Sequence, residues 1–242
     1  MNLIPKQIGT RLLYSLRKLY WNFYSLNWDE FLTDSGYAEE IEQIVEIVNS
    51  NKNRENPSLL DLGCATGSYS TAFSKKHFSV SGLDYAEKMI RKARQKAIAS
   101  GSKNIKFEVA DFNCGLSFNN SQFDIVLTAH IFKAVVDIPF LTEEIVRVLK
   151  EDGLLVVVTK QERERSPAIR EEGKSFVNFL LKLTKVVLFN DHKKSNFKYE
   201  DLRAQIESLN FIVHREYETA KNRVIIFQKL SLYNQTVSPL QI

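Results

Sequence analysis

Three aspartates at the ends of successive apolar runs are the residues whose type and spacing suggest chemistry in this chain. They are Asp61, Asp84 and Asp111, and Asp84 follows Asp61 by 23 positions. A carboxylate can accept two charge-assisted hydrogen bonds from a ribose diol. Phe112 follows Asp111, so a carboxylate and a ring together could hold a purine by its amino group and its face. Each aspartate alone could equally cap a helix, but three at consecutive strand ends favour a nucleoside site.

A tight turn follows the first of these aspartates. It reads Asp61-Leu-Gly63-Cys64-Ala65-Thr-Gly67, directly after an apolar strand and before a helix. Small residues in such a turn let a ligand approach the backbone closely. The turn by itself is equally typical of a plain strand-to-helix connection, so its weight comes from the aspartates around it.

The hydrophobic pattern predicts the elements that must position these residues. Short apolar strands alternate with amphipathic helices, which predicts right-handed crossovers and a parallel sheet covered by helices on both faces. Strands are predicted at 58–62, 78–84, 105–110, 123–128 and 154–159, and helices at 69–77, 87–100 and 138–150, with a turn at Asp152-Gly153.

The two ends of the chain depart from this alternation. Helices are predicted near the N-terminus at 4–23 and 37–48, and further helices at 176–189 and 199–209. Strands at 211–218 and 224–229 are separated by a short polar link, which predicts an antiparallel hairpin at the sheet edge. The predicted fold class is therefore α/β, a Rossmann-like doubly wound sheet of about seven strands, mostly parallel with an antiparallel C-terminal hairpin strand.

These residues closely resemble the class I S-adenosylmethionine (SAM)-dependent methyltransferase family. The resemblance covers roughly 59–159, and more weakly the final helix and hairpin. It implies SAM as cofactor, S-adenosylhomocysteine (SAH) as product and no metal. It also implies a set of cofactor-binding residues: Asp61, Gly63, Cys64, Ala65 and Gly67 at the methionine half, Asp84 at the ribose, Tyr85 and Met89 beside the adenine, Asp111 and Phe112 on the adenine, and Thr128, Ala129 and His130 facing the sulfonium.

Ala65 departs from the family pattern, which often has glycine at this position. If the position requires a positive φ angle, an alanine there is strained. A nicotinamide-dependent dehydrogenase, which uses a similar sheet, requires Gly-x-Gly-x-x-Gly after its first strand. Here the turn offers Gly63-x-Ala65-x-x-Ser68, which fails that pattern at two of its three positions.

Methyl transfer from a sulfonium is an in-line displacement, and an enzyme accelerates it chiefly by bringing the acceptor close in a dry pocket. His130 is the candidate catalytic base, because it alone among the histidines stands at a strand end. The alternative is a pocket-wall residue that contacts the cofactor without moving a proton.

The acceptor is less constrained than the cofactor. Related enzymes that methylate base or amide nitrogens carry Asn/Asp-Pro-Pro-Tyr/Phe after the fourth strand, where this chain reads Thr128-Ala-His-Ile. The apolar stretches around Trp21 and Tyr24, and around Phe176 and Phe179, are candidates for acceptor binding, the alternative being that both simply pack on the core. An apolar cover favours a small hydrophobic or aromatic acceptor, such as a secondary metabolite, a quinone-like ring or a lipid.

Composition limits the class of protein further. The chain has 242 residues, 44% of them hydrophobic and 26% charged, which suits a globular enzyme with a sizeable core. Its two cysteines, Cys64 and Cys114, have neither paired nor metal-like spacing, which favours a reducing compartment and a cytoplasmic protein. The net charge of +4 is ordinary, so no nucleic-acid partner is expected.

The N-terminal stretch carries four cations and no acid before Asp29. A cationic amphipathic helix can lie on an anionic membrane surface, although a solvated helix face explains the same pattern. No apolar run is long enough for a transmembrane segment.

We therefore expect three stretches: residues 1–50 as an N-terminal helical segment over the acceptor site, 51–231 as the methyltransferase domain with a helical insertion at 163–195 capping the acceptor, and 232–242 as a flexible tail. The predicted function is SAM-dependent methylation of a small, hydrophobic or aromatic acceptor. The alternatives are a non-catalytic SAM-binding regulatory protein and a lipid or quinone methyltransferase at a membrane surface. The oligomeric state is left open.

Overall fold

The computed structural model describes residues 15–161 and 199–231. The strands are β1 (Ser58–Leu62), β2 (Ser79–Asp84), β3 (Ile105–Val109), β4 (Phe123–Ala129), β5 (Leu149–Lys160), β6 (Phe211–Glu218) and β7 (Asn222–Lys229). They form one sheet in the order β3-β2-β1-β4-β5-β7-β6. β1 to β5 are parallel, and β7 is antiparallel to both β5 and β6. The predicted fold class and the antiparallel C-terminal hairpin are confirmed.

Helices lie before, between and after these strands. Residues 15–24 are helical and form the described part of α1. The others are α2 (Trp28–Asp34), α3 (Tyr37–Asn51), α4 (Ser68–Lys75), α5 (Glu87–Ala99), α6 (Ile138–Val148) and α7 (Tyr199–Ser208), with short 3₁₀ turns at Phe112–Cys114 and Phe132–Ala134.

The core lies on both faces of the sheet because successive strand residues point to opposite sides. On one face, Leu59, Val156 and Val158 pack with apolar residues of α3 and α4. On the other, Leu60 and Val157 pack with α6 and α7. β1, β4 and the second half of β5 are buried on both faces, which explains why they read as continuous apolar runs in the sequence.

One boundary differs from the sequence prediction. The helix was expected to continue to Lys150, followed by a turn at Asp152-Gly153, but α6 ends at Val148 and β5 starts at Leu149. Phe123 pairs with Leu149 whereas Ile125 pairs with Leu154, so the residues between form a bulge in β5. Asp152 takes a positive φ of 60° within it. The Asp-Gly signal therefore marks a bulge rather than a chain reversal.

α3 is part of the packed body. Its residues Ile44, Val45 and Val48 are fully buried against the sheet. Several expectations lie outside the described residues: the helix at 176–189 with Phe176 and Phe179, the insertion as a whole, and the tail at 232–242. Among the helices of the described ranges, none is both long and apolar enough to span a bilayer.

Candidate functional site

Asp61 lies inside the sheet near the carboxyl end of β1 and is only 1% exposed. Its Oδ2 accepts a hydrogen bond of 2.6 Å from the Ser70 hydroxyl on α4. Burial, together with the nearby charge of Asp84, raises the pKa of Asp61 to about 7, against the smaller lowering effect of the Ser70 hydrogen bond. The structure therefore holds a carboxyl group at the rim that ionises near neutral pH.

Asp84 ends β2 on the same face of the sheet and is 8% exposed. It accepts backbone hydrogen bonds from Ala86 at 2.8 Å and from Ala65 at 3.1 Å. Burial raises its pKa to about 6, and the two backbone N–H groups oppose that rise. Asp84 thus links the turn after β1 to the start of α5 through these two hydrogen bonds.

The turn between β1 and α4 contains three residues with positive φ angles. Gly63, Ala65 and Gly67 have φ angles of 73°, 49° and 75°. A side chain on Gly67 would also lie 2.7 Å from the Phe107 ring. Glycine is thus required at Gly67 for both conformation and packing. Ala65, where the family often has glycine, adopts the left-handed conformation. Its backbone is therefore strained, as expected for an alanine with a positive φ angle.

A small open pocket lies at the ends of β2 and β3. Its lining brings together three of the residues expected at the adenine, Tyr85, Asp111 and Phe112. Asp111 is fixed there because its Oδ1 accepts hydrogen bonds from the backbone and side chain of Asn113, both at 3.0 Å. The remaining lining residues are Arg17, Asn113, Ala134 and Val136.

Four of the expected site residues are buried in the structure. Thr128 is fully buried and its hydroxyl donates to the Val156 carbonyl at 3.1 Å, because strand alternation turns it toward the face opposite Asp61. Cys64 is packed with the residues beneath α5. Met89 is only 1% exposed. Gly67, as described above, borders Phe107 rather than open space.

A polar network joins the N-terminal segment to the turn. Thr66 donates to Asp29 Oδ1 at 2.6 Å. Lys96 of α5 donates to the same oxygen at 2.6 Å and to the Ser68 hydroxyl at 2.9 Å. Burial acts to raise the Asp29 pKa, but the hydrogen bonds from Lys96 and Thr66 and the Lys96 charge together outweigh it, so the pKa is lowered. Asp29, Thr66 and Lys96 are distant in sequence, and no short motif joins them.

Aromatic side chains of α1, α2 and α3 form a continuous series, which we call the N-terminal aromatic cluster. It contains Tyr20, Trp21, Tyr24, Trp28, Phe31 and Tyr37, with neighbouring ring centroids 5.3–6.5 Å apart. Such separations are typical of interacting aromatic pairs. The predicted acceptor residues Trp21 and Tyr24 both belong to it.

His130 lies where this cluster meets the end of β4. The rings of His130 and Tyr37 make an edge contact with centroids 6.2 Å apart. His130 has a positive φ of 59°, and its backbone N–H donates to the Val158 carbonyl at 3.0 Å. Ala129, the preceding residue, is partly buried. The expected base therefore contacts the N-terminal aromatic cluster at Tyr37, and Phe31 lies between Tyr37 and the expected acceptor residue Tyr24.

Tyr69 supplies a test of whether this rim suits a polar cofactor. Its hydroxyl oxygen is buried and has no hydrogen-bond partner among the described residues. Burial raises its pKa, and the charge of Asp61 adds to the rise. A buried hydroxyl without a partner is unfavourable unless a ligand satisfies it. Together with two buried carboxyls, this arrangement fits the amino-acid and ribose parts of SAM. The described residues hold no cluster suited to a metal ion.

Comparison with known proteins identifies the family of the chain. A methyltransferase-domain family matches residues 53–220. A ubiquinone biosynthesis O-methyltransferase of Pelagibacter ubique is 29% identical over 139 residues, 57% of each chain. A demethylmenaquinone methyltransferase of Leptospira interrogans is 28% identical over 133 residues, 54% of this chain and 52% of the relative. The chain thus spans only a little over half the length of these curated relatives.

A solved structure shares the fold. A SAM-dependent methyltransferase from Aquifex aeolicus superposes with a TM-score of 0.59 at 17% identity, covering 80% of this chain and 98% of its own. The chain belongs to the methyltransferase-domain family, and its domain is of the SAM-dependent, Rossmann-like class. The resemblance in the sequence and the predicted cofactor are thereby confirmed.

Proposed function

We propose that this protein transfers the methyl group of SAM to a small acceptor with a hydrophobic aromatic or quinone-like ring. The observation that carries the proposal is the contact between Tyr37 and His130, which joins the N-terminal aromatic cluster to the rim that holds Asp61 and Asp84. The named activities of the two curated relatives concern ubiquinone and menaquinone synthesis, which supports a ring of this kind.

In the proposed complex, the two buried carboxylates orient the cofactor. Asp84 accepts hydrogen bonds from the ribose hydroxyls while keeping its backbone bonds to Ala65 and Ala86, since an ionised carboxylate has about four acceptor positions. Asp61 lies at the amino-acid half together with Tyr69. Tyr85, Asp111 and Phe112 border the adenine.

When bound, SAM supplies a methyl group on a positively charged sulfur. The chain's own contribution is to place the acceptor in line and exclude water, since orientation alone can supply roughly 7–11 kcal/mol of the barrier. The faces of Trp21 and Tyr24 are suited to stack on a flat ring. His130 borders the same space, either as a wall or as a base for a phenolic proton.

Calorimetry with SAM and SAH, followed by a screen of phenols and short-chain quinols, tests the proposal. We expect SAM binding and methylation of an aromatic hydroxyl or ring position. Tight SAM binding without turnover of any ring acceptor would contradict the activity and favour a non-catalytic SAM-binding protein.

The role of His130 is tested by single-turnover kinetics of His130→Ala. A rate loss of about 10²–10⁴ is expected for a base, largest at high pH, where the imidazole of the parent is unprotonated and able to accept a proton. Normal chemistry with weaker cofactor binding alone would identify His130 as a wall residue.

Tyr69→Phe tests the amino-acid half of the cofactor site. Removing the unsatisfied hydroxyl leaves the unfolding free energy unchanged or raises it, whereas SAM affinity falls about tenfold. Tyr217→Phe is the matched control, because the Tyr217 hydroxyl already accepts a hydrogen bond from Asn51 at 2.8 Å. That control is expected to lose stability and to keep its affinity for SAM.

A further inference from the structure

The outer side of α1 exposes large apolar side chains. Leu16, Leu19 and Phe23 are 40%, 65% and 43% exposed, and Leu26, just beyond the helix, is 55% exposed. Their spacing of three and four positions places them on one side of the helix. Scattered exposed apolar residues are ordinary, but a row on one element indicates an interaction surface.

α1 lies directly against α5. The Lys18 ammonium pairs with Glu87 at 2.8 Å. The backbone N–H of Lys88 donates to the Asn22 side chain at 2.8 Å, and Lys92 donates to the Leu26 carbonyl at 3.1 Å. On a helical projection, this contact side adjoins the exposed apolar row of α1. The row is therefore continuous with the outer face of α5.

α5 gives this surface a strong positive charge. Its cations are Lys88, Arg91, Lys92, Arg94 and Lys96, and α1 adds Lys18, whereas Arg17 lines the pocket at the ends of β2 and β3. The one acidic residue of these two helices in the described range is Glu87, and the difference of six cations and one acid is a net charge of +5. The neighbouring helix α2 contributes Asp29, which pairs with Lys96, and Glu30. Lys88 and Arg91 are exposed on the outer face.

We propose that this α1–α5 surface, formed by the apolar row of α1 and the cations of α5, docks on the surface of an anionic lipid bilayer. An apolar helix side that enters the headgroup region, bordered by cations that meet anionic headgroups, is the arrangement by which interfacial helices bind membranes. A nucleic acid would use the cations alone, because phosphates offer no partner to exposed leucines. The apolar row therefore favours lipid.

The position of the surface gives the docking a consequence for the site. Tyr20, Trp21 and Tyr24 of the N-terminal aromatic cluster lie beside the apolar row, on the flank of α1 that faces away from α5. Docking would thus hold the N-terminal aromatic cluster close to the bilayer. The docking itself does not rest on the proposed function, since it concerns the outer side of α1 and α5.

Vesicle co-sedimentation of the full chain tests the proposal. Phosphatidylcholine vesicles with and without roughly 30% phosphatidylglycerol serve as probes at low and at physiological salt. We expect binding to the anionic vesicles that weakens with salt, and at least tenfold weaker binding to phosphatidylcholine alone.

Two paired substitutions separate the two components of the surface. Leu19→Gln with Phe23→Gln, and Lys88→Gln with Arg91→Gln, are each expected to weaken vesicle binding about tenfold or more. Ile212→Gln with Arg215→Gln is the matched control, because both residues are exposed on β6 at the other edge of the sheet. The control is expected to bind vesicles as the parent does.

Circular dichroism and SAM calorimetry of the same variants confirm that they are folded. The proposal is overturned if the parent does not bind anionic vesicles, if the two surface pairs bind as tightly as the control, or if the parent binds RNA in preference to vesicles. A parent that binds vesicles but methylates no acceptor would refute the proposed function alone.

Discussion

At the proposed cofactor half of the rim, Asp61 and Asp84 are less than a tenth exposed; Asp84 accepts a hydrogen bond from the Ala65 backbone in the turn, and Asp61 accepts one from the Ser70 hydroxyl of α4. At the proposed acceptor half, Phe31 is 42% exposed and His130 contacts the ring of Tyr37 on α3. The first half is built from strand ends and backbone hydrogen bonds, the second from side chains that pack on one another.

This difference explains how one fold accommodates many acceptors. Strand ends and a strained turn leave little freedom, so the cofactor half suits one ligand. Aromatic side chains on surface helices can be exchanged without disturbing the sheet. The two halves are linked by the hydrogen bonds that Thr66 and Lys96 donate to Asp29.

Loss of the Asp84 carboxylate is expected to have the largest effect. Asp84→Ala removes the acceptor of two backbone hydrogen bonds and of the proposed ribose bonds, so SAM affinity falls about 100-fold or more. Asp124→Ala is the control, because Asp124 is a buried carboxylate at the amino end of β4, bonded to Ser58 and Lys150. Calorimetry with SAM is the measurement. An equal loss of SAM affinity in both variants would contradict a specific role of Asp84 in cofactor binding.

The second largest expected effect is a pH dependence of the unfolding free energy, caused by the carboxyls of Asp61 and Asp84. The pKa values of Asp61 and Asp84, about 7 and about 6, lie above the ordinary 3.8, so their stabilising contribution is complete below about pH 4 and is lost as the pH rises through 6–7. Between pH 5 and pH 8, Asp61→Asn should gain roughly 2–3 kcal/mol of unfolding free energy relative to the parent. Urea unfolding across that range measures it.

The SAM affinity of the parent should rise over the pH range in which its unfolding free energy falls. Because the bound cofactor requires ionised carboxylates, affinity should rise as the pH increases from 5 to 8, with proton release on binding below pH 7. A pH-independent affinity would show that Asp61 and Asp84 do not contact the cofactor.

A substitution in the acceptor half should leave the cofactor half untouched. Trp21→Leu removes a ring of the N-terminal aromatic cluster, so the acceptor KM should rise about tenfold while the Kd for SAM stays within about twofold. Phe140→Leu, on the exposed side of α6, is the matched control and should change neither value. A parallel loss of SAM affinity in Trp21→Leu would mean that the halves are not separable.

The smallest expected effect concerns the backbone strain of the turn. Ala65→Gly relieves the φ of 49° and should raise the unfolding free energy by about 0.5–1 kcal/mol. Ala97→Gly, inside α5, should lower it by about 1 kcal/mol. Thermal unfolding of both variants provides the comparison, and destabilisation by Ala65→Gly would show that the turn is not strained.

The sequence was sufficient to predict the sheet and the aspartates at its rim, because strand periodicity and chain order decide both. Asp111 and Phe112 follow directly from a strand end and Tyr85 from the family resemblance, and the structure brings the three into one pocket. The direction of Thr128 could also have been read from strand alternation, since it lies two residues after Val126, which faces α6 and α7.

Other features depend on tertiary packing and leave no local signal. The contact of Tyr37 with His130 and the bond of Lys96 to Asp29 join residues that are far apart in sequence. The unpartnered hydroxyl of Tyr69 is visible only once its surroundings are known. The bulge at Asp152 was misread because Asp-Gly is common to turns and to bulges.

The insertion of β7 between β5 and β6 has a consequence for synthesis of the protein on the ribosome. β5 is translated long before Asn222–Lys229, the segment that pairs with it. Until that segment emerges, the nascent chain presents β5 as an open edge of apolar residues, a template for aggregation. Chaperone dependence during translation should therefore end only when the last strand has left the exit tunnel.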